Sequence, residues 1–358
     1  MRLFKCHSCG QLLHFENRQC VICGSRLGYL PFELTLSALR TTGDPDYWVA
    51  LASPGQHYRY CENAAYDACN WLLPANSSER FCAACRHNRI IPDLSLPSNL
   101  YSWRLFEIAK HRLFYTLIKL ELPLANRSDD PRYGLAFDFL TEIPGGPPVT
   151  TGHEDGLITM NLKEADDAER TRQRLQLGEP YRTLLGHFRH ESGHYFWDRL
   201  VSGRWDRLER FRAVFGDERR NYDEALRRHY AHGPNADWRS NFITGYAACH
   251  PWEDFAETWA HYLHIVDTME MAFSFGVQIE PRVETRCELG LSVDFDPHQS
   301  ADFDLLIGKW LSLTVVINSL SRCLGEHDLY PFILPGPVIT KMNFIHKLIN
   351  PLKQALAA

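Results

Sequence analysis

Eight of the chain's eleven cysteines fall within its first 85 residues, and this clustering constrains the fold more than any other feature. They include three C-x-x-C pairs, Cys6/Cys9, Cys20/Cys23 and Cys82/Cys85. Random placement would give about 0.3 such pairs, so the spacing reads as metal clips. The start, MRLFKCHSCG, has neither an apolar run nor a small-residue cleavage site, so no signal peptide is expected. A cytoplasmic chain keeps its thiols reduced, which favours zinc thiolate sites over disulfides.

The first quartet, Cys6, Cys9, Cys20 and Cys23, joins two knuckles by a ten-residue spacer and supplies four soft ligands for one tetrahedral Zn²⁺. Gly10 and Gly24 follow each knuckle, where the chain must turn tightly. The second quartet, Cys61, Cys69, Cys82 and Cys85, has one proper knuckle. His57 and His87 lie near enough in sequence to replace a thiolate, and Cys61 and Cys69 could instead be small core residues beside Trp71. Either site would be closed and structural. With 38 basic against 44 acidic residues the chain is mildly acidic, and residues 1–30 carry no basic–aromatic stripe. Nucleic-acid binding is therefore disfavoured, and a protein partner for the ribbon is the expectation.

After a Pro-rich connection the pattern changes. Apolar residues recur at helical spacing over 103–120, and helical patterns follow at 163–176, 181–202, 206–215, 252–270 and 302–323. Short strands are expected around 133–140 and 157–162, separated by the breaker run 144–148. The expected fold is α+β: a zinc ribbon at 1–30, a second Cys-rich module at 31–98, and a mostly helical catalytic domain with a small sheet at 99–358. No run of eighteen uninterrupted apolar residues occurs, so no membrane association is expected.

The segment His190-Glu191-Ser-Gly-His194 sits inside one of these helical stretches. Residues i and i+4 share a helix face, so both imidazoles can reach one metal ion, and Glu191 lies where it can take a proton from water. Chance gives about 0.05 matches to this pattern in a chain of this composition. Gly193 is costly inside a helix and needs a reason, such as close approach of another element. The third ligand is not supplied by Trp197 or Leu200, where a metzincin would have Gly and His. The better candidate is the stretch His250-Pro-Trp-Glu253-Asp-Phe-Ala-Glu257, whose two glutamates share a face that is otherwise apolar. Such carboxylates need a cation between the helices.

This arrangement resembles the gluzincin metallopeptidases, and Glu253-Asp-Phe-Ala-Glu257 is similar to the corresponding stretch of their lethal-factor-like members. The resemblance implies Glu253 as third zinc ligand, Glu257 as the acceptor that orients a ligand histidine, and Tyr246, seven residues before Glu253, as the oxyanion donor. Glu257 stands where Asp is more usual, and the 58-residue span between His194 and Glu253 is long. Nearly the whole chain resembles a bacterial family of zinc-binding metallopeptidases with an amino-terminal ribbon. The likeness runs through both quartets, Cys69-Asn-Trp-Leu, Asn88-Arg-Ile-Ile-Pro-Asp-Leu and the two site segments. It implies one catalytic and one or two structural zinc ions and a peptide or protein substrate. The residues leave two other readings open: an adaptor with a vestigial site, and a zinc amidase on a non-peptide substrate.

Other roles remain open at this level. His261 and His264 are expected to cap or face solvent, His187 to sit on the surface or behind a ligand, and Asp198 to touch a ligand imidazole or face solvent. His250 could help an oxyanion or be structural, and Tyr246 could equally be core. The strand 157–162 is expected to offer a free edge for an extended peptide.

Overall fold

The computed structural model describes residues 1–143, 145–282 and 289–350, which leaves Cys287 and Pro144 outside the described residues. The fold is α+β, as expected. Contacts divide the chain into two units, Met1–Phe188 and Arg189–Ala358.

The first unit begins with a hairpin of β1 (Phe4–Lys5) and β2 (Leu12–Leu13). A five-stranded antiparallel meander follows: β3 (Leu27–Leu30), β4 (Thr35–Thr41), β5 (Trp48–Ala50), β6 (His57–Tyr60) and β7 (Leu72–Pro74), in sequential order. Beyond β8 (Asn88–Ile90), helix α1 runs over Pro97–Lys119, with Pro97 in the first turn where its missing N–H is harmless. Trp103, Phe106, Leu113, Phe114 and Leu117 of α1 are fully buried, which is the helical period seen in the sequence. Phe15 packs edge to face with Tyr29, Trp71 and Tyr115, and Tyr29 lies tilted against Trp71, which joins hairpin, meander and α1 into one core.

A second sheet takes the order β10 (Gly152–Glu154), β11 (Leu157–Asn161), β9 (Ala136–Leu140), β8. Here one expectation fails. β11 pairs with β9 on one side and β10 on the other, so its backbone groups are already used and it offers no free edge to a peptide. Residues 152–154 carry too short a pattern to be read as a strand from sequence, yet the hairpin they form covers that edge. Helix α2 (Asp167–Leu177) follows, and α3 (Leu184–Trp197) contains the division between the units.

The second unit is helical: the end of α3, then α4 (Trp205–Phe215), α5 (Tyr222–His232), α6 (Pro251–Phe275), α7 (Phe303–Cys323) and α8 (Gly336–Ile349). A small hairpin of β12 (Gln278–Ile279) and β13 (Leu291–Ser292) lies between α6 and α7. Helix α6 packs against α4 and α8, and buries Phe255, Trp259, Leu263, Val266 and Met269 on its inner faces. Its start is fixed by Pro251 in the first turn and by His250, whose Nδ1 accepts the Trp252 N–H at 3.1 Å. Helix α7, despite Asp304 and Lys309, is long and apolar enough by length and composition to cross a membrane. Its Phe303, Leu306, Ile307, Trp310 and Leu313 face the core, whereas Leu311, Val315 and Leu320 are exposed.

Candidate metal centre

Helices α3 and α6 meet at Gly193. A Cβ built there would lie 2.8 Å from the Cα of Ala256 and 3.3 Å from its Cβ. That distance is shorter than any side chain tolerates, so the glycine lets two backbones touch where His190 and His194 project from α3 and Glu253 and Glu257 from α6. The unusual glycine and the small Ala256 are two halves of one contact.

Three donor atoms converge across that contact. His190 Nε2 and Glu253 Oε2 are 3.0 Å apart, His194 Nε2 and Glu253 Oε2 3.4 Å, and the two imidazole Nε2 atoms 3.2 Å. Ligands held at 2.0–2.1 Å around a tetrahedral zinc ion are about 3.3 Å apart, so the triangle has the right size. Glu253 is 1% exposed and His194 3%.

The tautomer of His190 follows from its other nitrogen. Nδ1 lies 2.7 Å from Glu257 Oε1, a carboxylate oxygen that can only accept, so Nδ1 carries the hydrogen. Glu257 is itself fixed by the Thr244 hydroxyl, which donates to Oε2 at 2.7 Å. In the neutral ring Nε2 is then a bare lone pair, aimed at a second imidazole nitrogen and a carboxylate oxygen. That donor set fits a divalent cation.

The electrostatics agree. Burial opposes charge on His190, but Glu253 and Glu257 outweigh it and hold its pKa well above the usual imidazole range. Burial pushes the Glu253 carboxyl up, yet His194 and His190 outweigh this and hold it well below the carboxylate range. An imidazole that keeps its proton this firmly must release it when a cation takes Nε2, so metal affinity falls as pH drops.

Of the residues expected around the site, Glu191 is buried on α3 at 8% exposure. Tyr246 is half-buried, with its ring 6.0 Å from that of His190. Burial, then Glu253, pushes its phenol far up, so it keeps its proton as a donor must. His250 is no oxyanion donor: its Nδ1 caps α6 and its Nε2 lies 3.1 Å from the Arg220 carbonyl. His261 does not face solvent. It is buried, with Nδ1 2.9 Å from the Tyr330 hydroxyl. His264 pairs with Arg189, His187 pairs with Glu164, and Asp198 is exposed.

Two residues at the site carry no sequence signal. The Trp252 ring lies tilted against that of His194, with centroids 3.9 Å apart. Tyr222, at the start of α5, donates its hydroxyl to Glu253 Oε1 at 2.5 Å, leaving Oε2 for the metal position. Partners of this kind typically change metal affinity about 10–100-fold. Tyr222→Phe is therefore expected to weaken zinc at this site by about tenfold, read by competition with a chelator of known affinity.

The cysteine quartets also assemble. Cys6 and Cys23 sulfurs are 3.7 Å apart and those of Cys9 and Cys20 3.6 Å, with Gly10 and Gly24 at φ 79° and 71° closing the knuckles. Cys61, Cys69, Cys82 and Cys85 form a second, fully buried group. Neither suggested histidine joins it. His57 is exposed, and His87 places Nδ1 2.8 Å from the Leu135 carbonyl.

A family described as "Putative zinc-binding metallo-peptidase" matches residues 99–348, and one described as "zinc-ribbon domain" matches residues 3–96. Relatives include "Uncharacterized protein Rv2568c" of Mycobacterium tuberculosis (strain ATCC 25618 / H37Rv) and "Uncharacterized protein Mb2598c" of Mycobacterium bovis. Each is 40% identical over 350 residues, covering 98% of this chain and 96% of its own length. No solved structure matches the chain significantly. The family match covers well over half of the sequence, and the chain belongs to the zinc-binding metallopeptidase family, with a zinc-ribbon domain ahead of the family's own stretch.

Proposed function

We propose that the protein hydrolyses peptide bonds, with His190, His194 and Glu253 holding a catalytic Zn²⁺ and Glu191 acting as general base. The observation that carries this reading is the convergence of three donor atoms within 3.4 Å of one another, with the His190 tautomer set by Glu257. A zinc ion bound there supplies Lewis acidity, bringing the pKa of water toward 7 and polarising a carbonyl. Glu191 takes one proton from the attacking water and returns it to the leaving amine as the C–N bond breaks. Tyr246 donates its phenol hydrogen to the carbonyl oxygen as charge develops there. Glu257 and Thr244 keep His190 in the tautomer that presents Nε2. The gluzincin arrangement is the nearest chemical parallel. The two thiolate clusters stabilise the amino-terminal part, which is available to a protein partner, and they suit a reducing compartment such as the cytoplasm.

Hydrolysis of a quenched-fluorescent peptide library by the zinc-loaded protein tests the reading. Turnover should vanish with a zinc chelator and return with added zinc. Turnover that survives chelation contradicts it.

A further inference from the structure

The second cysteine group has more donors around it than a tetrahedral ion can use. His111, on α1, lies within reach of three of the four sulfurs. Its Nε2 is 3.2 Å from Cys69 Sγ, 3.6 Å from Cys85 Sγ and 3.9 Å from Cys82 Sγ. The Cys69 and Cys82 sulfurs are 3.8 Å apart. With zinc–sulfur bonds of 2.3 Å and zinc–nitrogen bonds of 2.0–2.1 Å, tetrahedral edges are about 3.8 Å for S···S and about 3.6 Å for S···N. The His111 distances scatter around the second value, so its nitrogen sits at the apex above the triangle of Cys69, Cys82 and Cys85.

The hydrogen bonding of the ring says what that nitrogen can do. Nδ1 is 2.6 Å from the Glu107 backbone carbonyl, which can only accept, so Nδ1 bears the hydrogen. Nε2 of the neutral ring is then a lone pair directed at three sulfurs in an interior where His111 is 5% exposed. A carbonyl acceptor behind a ring whose other nitrogen meets thiolates is the arrangement that ligating histidines adopt.

Charge favours the same choice. Zn²⁺ with four thiolates carries −2 and with three thiolates and an imidazole −1. The Glu107 carboxylate lies 3.4 Å from Cys85 Sγ, and the adjacent Lys110 ammonium is already committed to Glu107 at 2.6 Å. A buried complex beside a carboxylate is less costly at −1. Cys61 Sγ lies within 4.8 Å of the other three sulfurs and accepts the Cys82 N–H at 3.4 Å, so it competes with His111 for the one remaining tetrahedral position.

We propose that His111 is a metal ligand, and that the second zinc site is a Cys3His site of Cys69, Cys82, Cys85 and His111, with Cys61 outside the coordination sphere. The site then draws its cysteines from the stretch matched by the ribbon and its histidine from the stretch matched by the metallopeptidase family. One metal ion ties the meander to α1. This assignment is independent of whether the His190 site turns over.

The test uses the full-length chain loaded with Co²⁺, whose visible ligand-field bands move to longer wavelength when sulfur replaces nitrogen. Cys61→Ala should keep the wild-type metal content and the wild-type spectrum. His111→Ala should either lose one metal per chain or shift the thiolate-site bands to longer wavelength as Cys61 takes the vacated apex. Wild-type content and spectrum in His111→Ala would overturn the proposal, as would loss of one metal in Cys61→Ala. If His111→Ala fails to fold, Cys61→Ala alone decides.

Discussion

Replacing Glu191 with glutamine is expected to lower kcat for peptide hydrolysis by about 10²–10⁴-fold, the usual worth of a positioned general base. Zinc content should stay at the wild-type level. Glutamine keeps the shape and hydrogen-bonding reach of the side chain but cannot accept a proton from water. Glu191 is buried on α3 between the two histidines without being one of the three converging donors, so its loss should leave the donor set intact. Steady-state kinetics beside metal analysis of the same preparation check both halves. A change confined to KM, or a loss of zinc with the activity, would remove Glu191 from the role of base.

Cys20→Ser should have the largest effect on folding. Cys20 is fully buried, and its sulfur faces that of Cys9 across the first quartet. Serine has a shorter reach and a hard oxygen, so three thiolates would remain for a metal that needs four. Structural zinc contributes about 10–16 kcal/mol in small fingers, far more than a segment of this size can gain from its own apolar burial. The variant should lose one metal per chain, and residues 1–30 should become rapidly cleaved in limited proteolysis. Full zinc content with an unchanged proteolytic pattern would show that the first quartet needs no metal.

The parts of the structure legible in the sequence are those built from short spacings. C-x-x-C knuckles and a pair of histidines four apart encode their geometry locally, because a turn or a single helical face suffices to converge the ligands. Gly193 on one helix and the small Ala256 on the other mark a close approach, and the structure brings the two into contact. Helix α6 is readable from its apolar period and from Pro251, and the one-turn spacing of Glu253 and Glu257 puts both carboxylates on the face that meets His190.

What was hidden depends on pairing between distant segments. Tyr222 reaches Glu253 from α5, a helix with no buried residue and therefore no apolar stripe to betray it. His111 reaches the second cysteine group from 26 to 42 residues away in sequence, whereas the nearer His57 and His87 point elsewhere. The strand over 157–161 had the right alternation for an edge, but no local pattern reveals that residues 152–154 fold back to pair with it.

Metal analysis of the purified chain and of His190→Ala, His194→Ala and Glu253→Ala, each confirmed folded and monodisperse, decides whether these three side chains hold a metal ion. Every one of the three variants should bind one zinc ion fewer per chain than the wild type. Wild-type zinc content in all three would contradict the metal centre and, with it, the peptidase.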